Sequence, residues 1–255
     1  MKKRLVAVLA CRNNGNRLYG KPLQNLSDKN NINIITMIID TLKKSKSISE
    51  IILAISNKVD NYIYKEIAKK NKIKFIFGSD EDVLKRLIIG SKKTKATDIF
   101  RVTTESPFIS FEYIDIIWET HTREKNDLTI FSNNIDGMGF EIFTKESLEK
   151  SHKKGKKKHK SELCDLYIKE NHQDFKVKYL KYGEQNKNYR LTVDNPEDLI
   201  LCKKIFLKYQ RYYPLIPMKK IINFLRNSKK DVMLTEKFIT SSKSINNLWK
   251  NVKKI

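Results

Sequence analysis

Two periods of apolar residues alternate along the first half of the chain. Arg4 to Ala10, Ile51 to Ile55, Ile73 to Phe77, Ile99 to Thr103 and Leu128 to Phe131 are short runs rich in β-branched or aromatic residues, and they predict strands. Between them apolar positions recur at helical spacing, which predicts helices near Ile32 to Lys44, Val59 to Asn71, Asp82 to Lys93 and Phe111 to Arg123. Strands alternating with helices in this way build βαβ units and a mostly parallel sheet. Ligands of such sheets sit at the carboxyl ends of the strands, so the loops that follow strands are where chemistry is expected.

The second half is less regular. It predicts strands at Phe140 to Phe143, Lys176 to Leu180 and Tyr189 to Val193, and helices around Lys145 to Lys153 and Ser161 to Asn171. A well-marked helix start follows in Asp194-Asn195-Pro196-Glu197-Asp198. Asn195 suits the cap, Pro196 the first helical position, and the two acids the positive end of the dipole. Asp194 is thereby placed at a strand terminus. After Asn227 the chain is polar and basic, and only a short helix is expected there.

Composition narrows the function classes. With 40 % hydrophobic residues among 255, the chain can bury a core, which excludes disorder for most of its length. Lys and Arg number 52 against 29 acids, a formal charge of +23 that suits nucleic acid, anionic membranes or phosphorylated small molecules. Much of the excess is lysine spread over solvated faces. No basic stretch interleaves with stacking aromatics as in single-strand binders, so nucleic acid is disfavoured as a partner. The three cysteines, Cys11, Cys164 and Cys202, lie far apart and offer neither a disulfide framework nor a paired metal motif, which fits a reducing, cytoplasmic setting. The apolar run Leu5 to Ala10 after Met1-Lys2-Lys3-Arg4 is too short for a signal peptide and reads as a buried strand. No apolar stretch approaches the ~18 residues that a membrane span needs.

The loop after the first strand carries the strongest chemical signal. Cys11-Arg12-Asn13-Asn14-Gly15-Asn16-Arg17-Leu18-Tyr19-Gly20-Lys21-Pro22 places Arg12, Arg17 and Lys21 with two glycines directly behind a buried strand. Glycines let backbone N–H groups approach phosphate oxygens, and the cations neutralise phosphate charge. Gly15 to Lys21 also matches the GxxxxGK spacing of a P-loop. Pro22 argues against that reading, because it lacks both the hydroxyl for Mg²⁺ and the N–H for phosphate.

This loop resembles the A-R-x-G-S-x-R-L-P-G-K segment of Kdo cytidylyltransferases and SpsF-like spore-coat polysaccharide cytidylyltransferases. Gly78-Ser79-Asp80-Glu81-Asp82-Val83-Leu84 is similar to their G-S-x-x-D-V-L. Arg101-Val102-Thr103-Thr104-Glu105-Ser106-Pro107-Phe108-Ile109 is similar to R-x-T-G-D-x-P-L-I, and Arg190 to Leu199 to R-L-T-V-D-T-P-E-D-L. The four segments fall in order over residues 4 to 210, with a weaker match around Pro217 to Phe238.

The resemblance implies an α/β fold: a mostly parallel, Rossmann-like and GT-A-like mixed sheet flanked by helices, with a small subdomain for acceptor binding and dimerisation. It implies a nucleotidyltransferase domain over residues 1–228, with a nucleotide-binding half at about 1–125 and acceptor-side elements at about 126–190. A basic tail covers 229–255. The implied activity is transfer of CMP from CTP to an acidic or phosphorylated sugar-like acceptor, with release of pyrophosphate, for surface polysaccharide or glycan precursors. Arg12, Arg17 and Lys21 are the implied catalytic set. Leu9, Ala10, Cys11, Gly15, Asn16, Ser79, Asp80, Asp82, Val83 and Thr103 join them at the nucleotide, with backbone groups of Leu9 to Cys11 completing a pyrimidine pocket. Glu105 and Asp194 are the implied ligands of Mg²⁺, a hard dication suited to carboxylates, phosphate oxygens and water. Glu141, Glu162 and Arg190 are the implied acceptor contacts, and family analogy implies a homodimer.

The chain departs from the family pattern in places. Glu105 replaces an Asp, Thr104 a Gly, Gly139 an acid, and Ser161 and Leu163 the Arg and His of R-E-H. Two other readings stay open at this point. A glycosyltransferase of similar fold would use Asp80 and Asp82 for its metal, and a basic nucleic-acid-binding protein would use the charge alone.

Overall fold

A computed structural model describes residues 2–15, 17–132, 135–182 and 189–250. The first half consists of β1 (Leu5–Cys11), β2 (Asn25–Ser27), β3 (Ile32–Asn33), α1 (Ile34–Leu42), β4 (Ile48–Ser56), α2 (Ile63–Lys70), β5 (Lys74–Gly78), α3 (Val83–Lys93), β6 (Asp98–Arg101) and α4 (Ile114–Glu124). There follow β7 (Leu128–Phe131), β8 (Phe140–Thr144), α5 (Lys145–Lys154), α6 (Leu166–Glu170), β9 (Val177–Leu180), α7 (Pro196–Tyr209), α8 (Met218–Asn227) and α9 (Lys229–Lys250). β2 and β3 form a small antiparallel pair. The other strands form one sheet in the order β5-β4-β1-β6-β8-β7-β9, in which only β8, among the described residues, runs against its neighbours.

Burial on both faces explains why β1 has no polar alternation, as is usual for a central parallel strand. Leu5, Ala7, Leu9 and Cys11 face a layer that includes Ile35 and Ile39 of α1, Tyr64 of α2 and Phe206 of α7. Val6 and Val8 face the opposite layer, with Leu84 and Leu87 of α3, Leu148 of α5 and Ile168 of α6. From β1 the chain builds outward through β4 to β5 and then returns to place β6 on the other side of β1. That reversal of strand order falls between β1 and β6, and open α/β sheets usually bind ligands outside the carboxyl ends of the strands at such a point.

Several segments differ from expectation. Tyr189 to Val193 is not a strand of the sheet: only Arg190 bridges to Asp136, and Val193 N–H instead donates to the Glu105 carbonyl at 2.9 Å. The segment is held between two loops, so its apolar alternation serves two partners rather than a ladder. The helix expected over Ser161 to Asn171 shortens to α6. The first turn expected of α1 is instead strand β3, and Asn33 caps the helix by accepting from Thr36 N–H at 2.9 Å. Beyond Asn227 the short helix expected is the 22-residue α9, which packs on α7 and α8. Val232 and Thr235, three residues apart, are buried there, and Lys204 pairs with Asp231 at 2.5 Å. A sparse apolar stripe in a polar context suffices for a helix that docks on an existing surface.

One buried polar cluster ties the sheet to α4. Asp98, at the start of β6, is fully buried and lies 3.2 Å from His121 Nε2; Thr97 Oγ1 donates to it at 2.6 Å and Lys3 at 3.3 Å. Burial raises the Asp98 pKa, but the hydrogen bonds from His121 and Thr97 and the Lys3 charge outweigh it and hold the carboxyl below its ordinary value. A depressed folded pKa contributes stability that is complete above the unfolded value of about 4 and is lost as pH falls through the folded one. Asp98→Asn should therefore unfold at lower urea at pH 7, yet lose less stability than wild type as the pH is lowered from 7 through about 4 and below. Urea midpoints across that range test this.

Candidate active site

The loop that leaves β1 is pinned before its cations are placed. Asn13 N–H donates to Asn61 Oδ1 at 2.7 Å, and Tyr64 Oη donates to Asn13 Oδ1 at 2.8 Å. Asn13 Nδ2 donates to the Asp60 carbonyl, and Gly20 N–H closes the loop onto the Asn13 carbonyl at 2.8 Å. Gly20 adopts φ 59°, a left-handed conformation that costs glycine nothing. At Gly15 an added Cβ would lie 2.6 Å from Leu18 O and 3.2 Å from Lys21 Cε, so the missing side chain is what lets Lys21 pass. Asn16, expected at the nucleotide, lies outside the described residues. Asn13 and Tyr64 escaped notice in the sequence, where one looks like a turn residue and the other like core.

Lys21 opens a single 3-10 turn, Lys21–Leu23, which contains Pro22. The next element is strand β2, so no helix aims its N–H groups at phosphates as a P-loop requires. Lys21 Nζ instead lies 2.5 Å from Asp194 Oδ1, and Arg17 lies 3.2 Å from Asp194 Oδ2. Arg190 pairs with the same oxygen.

Asp194 is free for these cations because its neighbours cap α7. Asp198 Oδ2 accepts from Asp194 N–H at 3.0 Å, Asn195 N–H at 2.9 Å and Asn195 Nδ2 at 3.1 Å. Burial raises the Asp194 pKa, and hydrogen bonding to Lys21 with the charges of Lys21, Arg190 and Arg17 more than reverses this, so it is held ionised. Glu105 is half-buried in the turn after β6. Its carbonyl accepts from Val193 N–H, which sets the two acid-bearing segments side by side. Burial raises the Glu105 pKa; Lys21 opposes this and the Asp194 charge adds to it. Two neighbouring carboxylates, one of them reluctant to ionise alone, form a donor set that a hard dication suits. Among the described residues there is no group of three or more His, Cys, Asp or Glu that could hold a metal by itself.

The Ser79 to Asp82 segment is largely occupied with local structure. Asp82 caps α3 by accepting from Lys85 N–H at 2.9 Å, and its other oxygen lies 2.8 Å from His152 Nε2. Ser79 Oγ accepts from Asp82 N–H at 3.3 Å, while Asp80 takes Ser56 Oγ at 2.7 Å and Lys58 at 2.8 Å. Burial raises the Asp80 pKa, and its bonds to Lys58 and Ser56 bring it below the ordinary value. Val83, expected at the nucleotide, packs instead into the core beneath α3, because its helical position faces the sheet. Leu9 likewise buries its side chain in the core and offers only its backbone. Thr103 Oγ1 lies 2.8 Å from Ser106 Oγ, and Thr104 Oγ1 donates to the Ala10 carbonyl at 3.0 Å.

Arg86 is a third residue, after Asn13 and Tyr64, that the sequence does not mark. It is 1 % exposed, and its Nη1 donates to Cys11 O at 3.1 Å and to Ala54 O at 2.9 Å, clamping the carboxyl ends of β1 and β4. In sequence it is one cation on an amphipathic helix, indistinguishable from a solvated position. The absent side chain at Gly78 was the available signal, since a Cβ there would meet Arg86 Cγ at 2.8 Å.

On the side where the sequence places the acceptor contacts, Arg101 Nη1 lies 2.9 Å from Glu141 Oε2, and Arg101 Nη2 donates to the Glu162 carbonyl at 2.8 Å. Arg12 reaches the exposed Glu162 carboxylate at 3.2 Å, so Glu141, Arg101, Glu162 and Arg12 form one chain of contacts back to the β1 loop. Burial and the Asp165 charge push the Glu141 pKa up, against the pull of Arg101. Arg190, expected at the acceptor, is 4 % exposed and is taken up by Asp136 at 2.7 Å, Asp198 at 3.3 Å and Asp194. It is placed as a strut beneath Asp194.

Cys11 sits at the site but is chemically quiet. It is fully buried, with Sγ directed at Leu9 O at 3.4 Å, and burial, with Arg86 opposing, pushes its pKa up to about 12. Cys164 is buried and shifted upward for the same first reason, as is Cys202. Reaction with a disulfide reagent should therefore be negligible in the native protein and reach three thiols only after denaturation.

Comparison with known proteins gives the family and the fold. The family model described as "Cytidylyltransferase" matches residues 6–237. An uncharacterised protein of Methanocaldococcus jannaschii is 32 % identical over 226 residues, covering 87 % of this chain and 90 % of that one. The spore coat polysaccharide biosynthesis protein SpsF of Bacillus subtilis is 25 % identical over 211 residues, with 80 % and 87 % covered. A solved cytidylyltransferase structure from Leptospira borgpetersenii superimposes with a TM-score of 0.82 at 22 % identity, over 91 % of this chain and 97 % of that one.

Proposed function

The chain belongs to the cytidylyltransferase family, and from that premise we propose that it moves CMP from CTP onto an acidic or phosphorylated sugar-like acceptor for a surface polysaccharide or glycan precursor. The observation that carries this reading is the meeting of Lys21 and Arg17 from the β1 loop with Asp194, beside Glu105, at the carboxyl ends of the strands. A site with three cations around one carboxylate is preset for exchange. When the triphosphate enters, Lys21 and Arg17 turn from Asp194 to phosphate oxygens, which would leave the Asp194 carboxylate able to hold a metal.

Glu105 and Asp194 would hold Mg²⁺, which when bound supplies charge neutralisation on the triphosphate. An acceptor oxygen attacks the α-phosphorus in line, and pyrophosphate leaves toward Lys21 and Arg17, whose charges match what develops there. Arg12 neutralises the outer phosphates. Gly15 and the backbone of Leu9, Ala10 and Cys11 receive the nucleotide, with Ser79, Asp80, Asp82 and Thr103 along its edge. Glu141 and Glu162 line the acceptor side, and Arg190 keeps Asp194 oriented.

The experiment is pyrophosphate release from CTP and Mg²⁺ across a panel of sugar acids and sugar phosphates. Release that requires both CTP and one of these acceptors is the expected result. Consumption of a nucleotide sugar without pyrophosphate would assign the chain a different reaction.

A further inference from the structure

The mechanism leaves the most basic segment of the chain unused. Residues 145–160 carry eight lysines against two glutamates. Lys153 and Lys154 close α5, where cations complement the helix dipole, but Lys156, Lys157 and Lys158 lie beyond Gly155 and outside that explanation. All five of these side chains are exposed. Lys157 lies 3.5 Å from Glu81 and Lys158 lies 2.6 Å from Glu170, whereas Lys153, Lys154 and Lys156 form no ion pair among the described residues.

The segment is a built surface. His159 is buried at its centre; its Nδ1 accepts from Lys156 N–H at 2.7 Å and its Nε2 lies 2.8 Å from Glu170. His152 ties the same segment to Asp82 at the head of α3, and the segment runs on to Glu162, which meets Arg12. The lysines therefore stand on the rim of the site, between its nucleotide edge and its acceptor side.

We propose that this rim is a docking surface for an anionic lipid bilayer, set so that the active-site mouth opens at the membrane interface. The exposed lysines are displayed outward from a pinned loop, which suits a plane of diffuse phosphate charge. The segment has no Phe, Tyr or Trp, so it lacks the stacking platform of a single-strand nucleic-acid site. Each exposed lysine adds to the attraction of an anionic surface, so a cluster of this size anchors a protein reversibly without any inserted helix.

The test is co-sedimentation of the full chain with vesicles of phosphatidylcholine alone or mixed with phosphatidylglycerol, at physiological salt. Because the net charge of +23 attracts any anionic surface, the comparison is between two variants of equal charge change. Lys153→Glu/Lys154→Glu/Lys156→Glu should weaken binding to the mixed vesicles roughly 100-fold. Lys44→Glu/Lys46→Glu/Lys70→Glu, at exposed lysines elsewhere, should weaken it less than about threefold. Equal losses in the two variants overturn the proposal, since net charge would then explain the binding. So does tighter binding of a single-stranded RNA oligonucleotide that is lost in the rim variant, which would make the rim a nucleic-acid surface. CTP-induced stabilisation, retained in both variants, shows that the folded site is intact.

Discussion

Replacing Lys21 with alanine should lower kcat for pyrophosphate release about 100- to 1000-fold, the usual cost of losing one preorganised donor at developing charge. Its side chain is 15 % exposed and its Nζ sits 2.5 Å from Asp194, whereas Arg17 is half exposed and 3.2 Å away. Lys21 is thus the better ordered of the two loop cations and the one whose removal costs more. Arg190 still pairs with Asp194 in the variant, so the carboxylate is not left buried and unpaired, and the unfolding temperature should change little. Lys21→Arg should restore only part of the rate. Gly15 packs close to Lys21 Cε, which leaves little room for a planar guanidinium. Turnover within a few-fold of wild type in Lys21→Ala would remove the loop from the chemistry. The kcat is read with whichever acceptor supports wild-type turnover.

Arg190→Met should be the most destabilising single change near the site. Arg190 is 4 % exposed and its guanidinium contacts three carboxylates, of which that of Asp198 belongs to a residue only 1 % exposed. Removing one partner of a buried ionic group leaves uncompensated charge and costs about 3–5 kcal/mol, a fall of roughly 10 °C in unfolding temperature for a chain of this length. Asp198 also caps α7 through the backbone N–H groups of Asp194 and Asn195, so its displacement would loosen the helix start as well. Adding Asp198→Asn should recover part of the loss by neutralising the stranded acid. A melting temperature within a degree or two of wild type would show that Asp136, Asp194 and Asp198 are solvated well enough without the strut.

The residues that announce themselves in the sequence are those whose role is local. β7 at Leu128–Phe131 follows directly from its apolar run, and the start of α7 from Asn195 and Pro196. The loop cations are legible for a similar reason, since charge and glycine crowd into a few residues behind a buried strand. What could not be read is long-range. Arg86 clamps two strand ends 75 and 32 residues away, and only the missing side chain at Gly78 hints that it is buried. The Tyr189 to Val193 segment has the alternation of a strand, but its partners are the loops at Asp136 and Glu105. Arg190 reads as an acceptor contact until the fold places three acids around it. α9 was underestimated because its composition is polar, and only the surface of α7 and α8 gives its sparse apolar stripe a place to bury.

The measurement that bears most directly on CMP transfer is a thermal-shift comparison of CTP, UTP, ATP and GTP, each with Mg²⁺. A ligand at about 100 times its Kd adds about 2.7 kcal/mol to the native state, or roughly 5–10 °C here. CTP should produce that rise, the other triphosphates markedly less, and Lys21→Ala should diminish it. Equal shifts with all four nucleotides would reflect only the positive charge of the chain, and these, or no shift with CTP, would contradict the assignment.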